Sequence, residues 1–331
     1  MKKIDYHIET LRGVAILLIL FLHLSVEREF NSIKSSLDVV SYVFTNIRIP
    51  LFTVISGYFY ALLKCDEIDR KKLISSKSMR LLVPLYFAIL AEFLVERFVL
   101  NKNSQTLYEN FLGDFFYANG HYWFVQAIFL IFLTYRLTYF LRQKTPYFTL
   151  VFFVATTLFY IFARNTALNT NFFSIGGALY LYPYFILGAS YRNIQKSNLY
   201  PSLFVLCLTL FVSLFIAQFY CYFYGAEELF AKRSTLGILL GITACFTLLS
   251  IKFESKFIAW IGGFSFAIYL YQSFTSKVAK VVIFNVFDMD GYLALFLIIA
   301  LTTALGILVH IVAFRYSLTR RLVLGLTKRK K

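Results

Sequence analysis

The stretch IETLRGVAILLILFLH, residues 8–23, sets an unbroken apolar run between Arg12 and His23. With the residues on either side, a run of this kind is read as a helix that crosses a lipid bilayer. The arginine and the histidine are eleven positions apart, and at 100° per residue that is about 20° beyond three full turns. Both side chains therefore share one helix face, roughly 16 Å apart along the axis. Ionisable groups within a bilayer are costly and ordinarily face protein or a water-filled cavity. Two readings stand for Arg12: a basic residue snorkelling to lipid headgroups, or a binding group. Two also stand for His23. It is a packing histidine with both ring nitrogens satisfied, or a general base of the residue type that titrates near neutrality.

The rest of the chain reads the same way. Of its 331 residues 59% are apolar and 20% aromatic, and only 15% are charged, against about 25% in soluble domains. Such a chain cannot cover a water-exposed surface with polar groups. The expectation is one all-α, polytopic membrane domain over residues 1–331, with no separate soluble domain. No cleavable signal peptide is evident, so the first run is expected to stay as the first helix. Ten candidate spans follow, near 11–26, 39–63, 80–100, 122–140, 147–164, 173–191, 200–224, 235–251, 257–276 and 292–314. An even number puts both termini on one side. The loops and ends on that side carry 23 of the 33 Lys and Arg residues, so both termini are expected to be cytoplasmic.

The net charge of +16 raises nucleic acid as a partner. The charges fall instead in short clusters between apolar runs, such as Arg70, Lys71, Lys72, Lys77 and Arg80, and Lys328, Arg329, Lys330 and Lys331. No basic stripe interleaved with aromatics appears, and basic loops facing anionic membrane lipids account for the balance. Cys65, Cys207, Cys221 and Cys245 form no CxxC pair and have no neighbouring His, so zinc-ligand spacing is absent. No metal is expected.

Several segments in order resemble the acyltransferase 3 family of membrane acyltransferases. Residues 8–23 resemble that family's first helix, with its arginine, ten residues and histidine after an LRG start. RIPLFTVISGY at 48–58, RLLVPLY at 80–86, HYWFV at 121–125, YFILGA at 184–189 and FSFAIYL at 264–270 are similar to later segments of the family. Each motif is weak alone, but the set is collinear over nearly the whole chain. Two positions depart from the pattern. Gln272 stands where members often carry His, and Glu9 stands where an Asp usually precedes the motif arginine.

The resemblance implies an acyl-CoA donor on the cytoplasmic side, usually acetyl-CoA, as a co-substrate with no tightly bound cofactor. It also implies a sugar hydroxyl as acceptor, on a cell-surface polysaccharide or its lipid-linked precursor, in a bacterial inner membrane. An arginine fork suits CoA phosphates, which makes Arg12 and Arg80 candidates; ordinary positive-inside charge is the other reading of Arg80. His23 is the candidate base towards the acceptor hydroxyl, or a covalent nucleophile. A thioester oxyanion needs preorganised donors, for which Ser56, Tyr122 and Trp123 are candidates. The favoured alternative ties Ser56 to a helix carbonyl and gives Gly57 to close packing.

Arg48 is a further candidate towards acceptor or thioester, with snorkelling as its alternative. Glu92 and Glu96, one turn apart, offer a carboxylate to orient His23 or to pair with Arg97. Glu9 and Gln272 are supporting candidates. His121 is expected at a solvated helix start, and His7 and His310 carry no motif. The competing function is a transporter or flippase of a lipid-linked glycan, which ten helices with buried charges would also suit. Against it, the sequence lacks the half-repeat common in transporters.

Overall fold

The computed structural model describes residues 5–25, 33–95, 97, 111, 113–117, 120–144, 147–166 and 170–327. Among them no strand occurs. In lipid a helix satisfies the backbone groups of an apolar segment within that segment. The α-helices are α1 (Tyr6–Ser25), α2 (Lys34–Phe44), α3 (Arg48–Leu62), α4 (Arg70–Lys77), α5 (Val83–Leu94), α6 (Trp123–Leu137), α7 (Tyr139–Lys144) and α8 (Phe148–Ala163). There follow α9 (Ile175–Gln195), α10 (Tyr200–Phe223), α11 (Thr235–Ser250), α12 (Lys256–Gly263), α13 (Ser265–Lys280), α14 (Gly291–Arg315) and α15 (Ser317–Leu324).

Local chemistry sets the starts. Asp69, Ser234 and Ser255 accept the N–H groups of Lys72, Gly237 and Ile258, capping α4, α11 and α12. Prolines open α5 and α10, where a missing N–H costs nothing. Hydroxyls inside the helices mostly turn back on their own backbone: Thr53 donates to Ile49, Thr243 to Leu239 and Thr303 to Ile299.

Six helical segments are long and apolar enough to cross a membrane: Tyr6–Leu24, Lys34–Leu62, Arg70–Leu94, Phe172–Gln195, Tyr200–Phe223 and Gly291–Arg315. The ninth expected span is not one straight helix. It breaks at Phe264, and α12 meets the segment that begins with α13 at a 73° bend; counted as one, that pair makes a seventh. The fourth, fifth and eighth expected spans are the shorter apolar helices α6, α8 and α11, of 15, 16 and 16 residues.

Contacts group the chain into two compact units, Met1–Phe59 with Tyr184–Ile307, and Tyr60–Pro183 with Leu308–Lys331. In the first, glycines let backbones touch. A side chain at Gly13 would overlap the Ile258 carbonyl, and one at Gly262 would overlap the Glu9 carbonyl, so α1 and α12 interlock in opposite directions. Gly57 and Gly188 do the same for α3 and α9, against the carbonyls of Phe185 and Val54. The break between α2 and α3 is held by Asn46, whose Nδ2 donates to the Phe230 carbonyl at 2.8 Å.

In the second unit, Arg142 forks onto Asp66 at 2.7 and 2.9 Å, and Tyr60 donates to the same carboxylate at 2.7 Å. The Arg142 guanidinium lies 3.9 Å from the centre of the Tyr135 ring. An apolar groove in this unit, with Leu73, Phe129 and Phe132 in its wall beside Lys77 and Arg136, contains none of the candidate catalytic or binding residues.

Candidate functional site

The first unit holds the motif pair of α1. Arg12 is clamped from two sides. Its Nη1 donates to both carboxylate oxygens of Glu9, at 2.9 and 3.0 Å, and its Nη2 donates to Ser265 Oγ at 3.0 Å. The guanidinium stands 5.7 Å from the centre of the Phe59 ring. Ser265 is fully buried, so the arginine is drawn towards α13 rather than outward in the manner of a snorkelling side chain. Glu9 supports it as the sequence position implies, one turn back along α1.

Around this clamp further polar contacts tie the start of α1 to α3 and to residues 249–253. Tyr58 donates to Asp5 at 3.1 Å. His7 is a packing histidine. Its Nδ1 accepts the Phe253 N–H at 3.2 Å, which leaves Nε2 to donate to the Leu249 carbonyl at 3.1 Å. Ser265 lies within the FSFAIYL segment, but a lone serine there gave no signal of its arginine.

His23 occupies the last turn of α1. The expectation of an imidazole enclosed in apolar surroundings is corrected: the ring is exposed, while Leu22 and Leu24 beside it are buried. Hydropathy marks the run but not which side of it faces a neighbour. Arg12 and His23 thus stand at opposite ends of one helix face, the first clamped and the second exposed.

Arg48 begins α3 and is partly buried. It lies eleven residues from Phe59, which faces Arg12, and eleven from Leu37, which shares an apolar cluster with Leu24. Ser56 spends its hydroxyl on the Phe52 carbonyl at 2.9 Å, and Gly57 admits the α9 backbone, so both take packing roles. Gln272, on α13, is buried. Among the described residues neither its Nε2 nor its Oε1 meets a hydrogen-bond partner.

The remaining candidates belong to the second unit. Arg80 is exposed in the π-helical turn Ser78–Leu82. Tyr122 is buried and donates to Glu92 at 2.7 Å. Trp123 opens α6, and its ring fills the space a side chain at Gly177 would take. Glu96 lies outside the described residues. His121 is buried, not solvated, with its ring 4.0 Å from that of Tyr122; the turn before α6 folds it inward. Among the described residues no group of His, Cys, Asp and Glu is placed to hold a metal ion, and the four cysteines are free.

A family model described as an acyltransferase domain matches residues 5–312. The match begins before Glu9 and runs past Gln272, so it takes in every candidate residue named above. No curated protein and no solved structure matches the chain.

Proposed function

The chain belongs to the acyltransferase 3 family, and from that premise we propose that it moves an acetyl group from acetyl-CoA to a sugar hydroxyl. The acceptor is a cell-surface polysaccharide (O-antigen, capsule or exopolysaccharide) or its lipid-linked precursor. The observation that carries this reading is the clamped Arg12 and the exposed His23 on one face of α1 within the matched region. A transporter would have no need of that pair within an acyltransferase domain.

In this reading the protein is one domain of ten spans in a bacterial inner membrane, with both termini cytoplasmic. The three shorter apolar helices complete the count. Tags at both ends then stay protected from an external label in intact cells; a labelled terminus removes the topology.

The phosphates of the donor lie at the Arg12 end, where the guanidinium forms charge-assisted hydrogen bonds. His23 accepts the proton of the acceptor hydroxyl as the oxygen attacks the thioester carbonyl. A C–O bond forms, the tetrahedral intermediate collapses, and the C–S bond breaks. The proton held by His23 passes to the departing sulfur, so the products are the acetyl ester and free CoA. Mass spectrometry of envelope glycans with and without the protein tests the reaction. An acetyl ester present only with the protein is the expected result, and identical glycans would overturn it.

Replacing Arg12 with alanine removes the proposed phosphate contact. The expected result is a rise in KM for acetyl-CoA of about 10- to 100-fold, the worth of hydrogen bonds to a charged group, with a smaller change in kcat. Arg12→Lys does not restore it, because an ammonium lacks the fork. Steady-state kinetics with varied donor decide the matter, and an unchanged KM removes Arg12 from donor binding.

A further inference from the structure

The groove between α4 and α6 is built from two matching stripes. α4 contributes Arg70, Leu73, Ile74 and Lys77, and α6 contributes Phe129, Phe132, Leu133 and Arg136. Each set is spaced i, i+3, i+4, i+7, so each is one face of its helix. The two helices run in opposite directions along the groove. Lys77 Nζ stands 3.7 Å from the centre of the Phe132 ring, while Arg136, one turn further along α6, donates from Nη2 to the Ile68 carbonyl at 3.3 Å. Arg136 therefore comes level with the start of α4, where Arg70 stands, and Lys77 lies further along against the apolar wall.

Charges between helices are ordinarily paired, because withdrawing them from water is costly. Here they are not. Among the described residues Arg70, Lys77 and Arg136 form no ion pair, and the buried Nε of Arg136 has no hydrogen-bond partner. The acids closest in sequence are already committed. Asp66 is held by Arg142, and Asp69 caps α4 through the Lys72 N–H. The rest of the groove is hydrocarbon, and two of its large apolar side chains, Ile74 and Leu137, are exposed. α4 forms the first turns of the candidate span Arg70–Leu94, the end that carries Arg70, Lys71 and Lys72. Basic residues at the end of a span lie at the level of the lipid headgroups.

We propose that this groove is a binding site for an anionic phospholipid. Its phosphate sits between Arg70 and Arg136, within reach of the Lys77 ammonium, and an acyl chain lies along Phe129, Phe132 and Leu133. Charge complementarity selects the occupant. Three cations without a carboxylate call for an anion, which arginines hold by charge-assisted hydrogen bonds to phosphate oxygens. The hydrocarbon wall calls for a chain attached to that anion. A soluble phosphate ester would leave the wall uncovered, and a zwitterionic lipid would bring a fourth cation to the three already present. Basic pockets between membrane helices take anionic headgroups in this way. The site stands apart from the donor and acceptor roles proposed above and does not depend on them.

Full-length protein in detergent micelles is titrated with phosphatidylglycerol carrying a fluorescent acyl chain, and with phosphatidylcholine carrying the same chains. One basic residue near the headgroups is worth about fivefold in affinity for an anionic lipid. The three together are expected to favour phosphatidylglycerol by about 100-fold. Arg70→Gln and Lys77→Met are each expected to weaken phosphatidylglycerol by about fivefold, and the pair by about 25-fold, with phosphatidylcholine unchanged. Arg70 is exposed, and methionine keeps an attractive contact with the Phe132 ring, so melting temperatures without lipid should match wild type. Lys72→Gln is the control, since it removes the same charge from the opposite, exposed face of α4, and it should bind as wild type does. Equal affinity of wild type for the two lipids overturns the site. So does a loss in Lys72→Gln as large as in Arg70→Gln, which would leave net charge alone as the attraction. Displacement of the probe by glycerol 3-phosphate or by CoA would make the groove a place for a soluble phosphate ester, and that too overturns it.

Discussion

His23→Ala is expected to lower acetyl transfer by about 10²- to 10⁴-fold, the span that a positioned base contributes, and to leave CoA binding as it was. The separation of those two readouts follows from where the ring stands. It is exposed on the last turn of α1, about 16 Å along the axis from Arg12, so removing it opens no cavity in the core. Exposed substitutions of this kind shift stability by no more than about 0.5 kcal/mol, and the variant should reach the membrane and melt as wild type does. Rates measured in membranes at saturating donor, beside a CoA titration, test this. Full activity in the variant removes the imidazole from the reaction.

The second large effect is architectural. Gly262→Val places a branched side chain where even a Cβ overlaps the Glu9 carbonyl. Backbone on one side and a continuous helix on the other give it nowhere to go, so α1 and α12 must separate. Overpacking ordinarily costs about 1–3 kcal/mol, and a clash against main chain belongs at or above the top of that range. The same separation pulls Arg12 away from Ser265, three residues after the glycine. A melting temperature several degrees lower is expected, together with weaker CoA binding, since ordering the arginine depends on that contact. Gly263→Ala is the control: a Cβ there meets nothing within 4 Å, and alanine is the better helix former. If both substitutions behave alike, the α1–α12 contact does not position the arginine.

Much of this was legible in the sequence because the signals are local. Apolar length marks the α1, α10 and α14 segments, and the spacing of Arg12 and His23 fixes their shared face by arithmetic alone. What escaped is set by partners far along the chain. Ser265 has no pattern to announce that it holds Arg12, and the Asp5–Tyr58 bond joins residues with no periodic relation. The break at Phe264 was read through as continuous because hydropathy averages over a bend. Burial of His121 and exposure of His23 reverse the simple expectation for the same reason. Composition tells which stretch is apolar, while facing depends on neighbours that only the folded chain supplies.

The interlock of Gly13 and Gly262 also dictates an order of manufacture. α1 leaves the ribosome well before α12, since the helix that receives it is encoded some 250 residues later, as the Arg12–Ser265 separation of 253 positions records. Contacts between such distant positions form slowly and leave surfaces unmatched in the interval. The opening helix must therefore wait in the bilayer, its arginine without its serine, until nearly all the other spans have been inserted. A chain that stalls before α12 would present that unfinished surface to proteolytic surveillance.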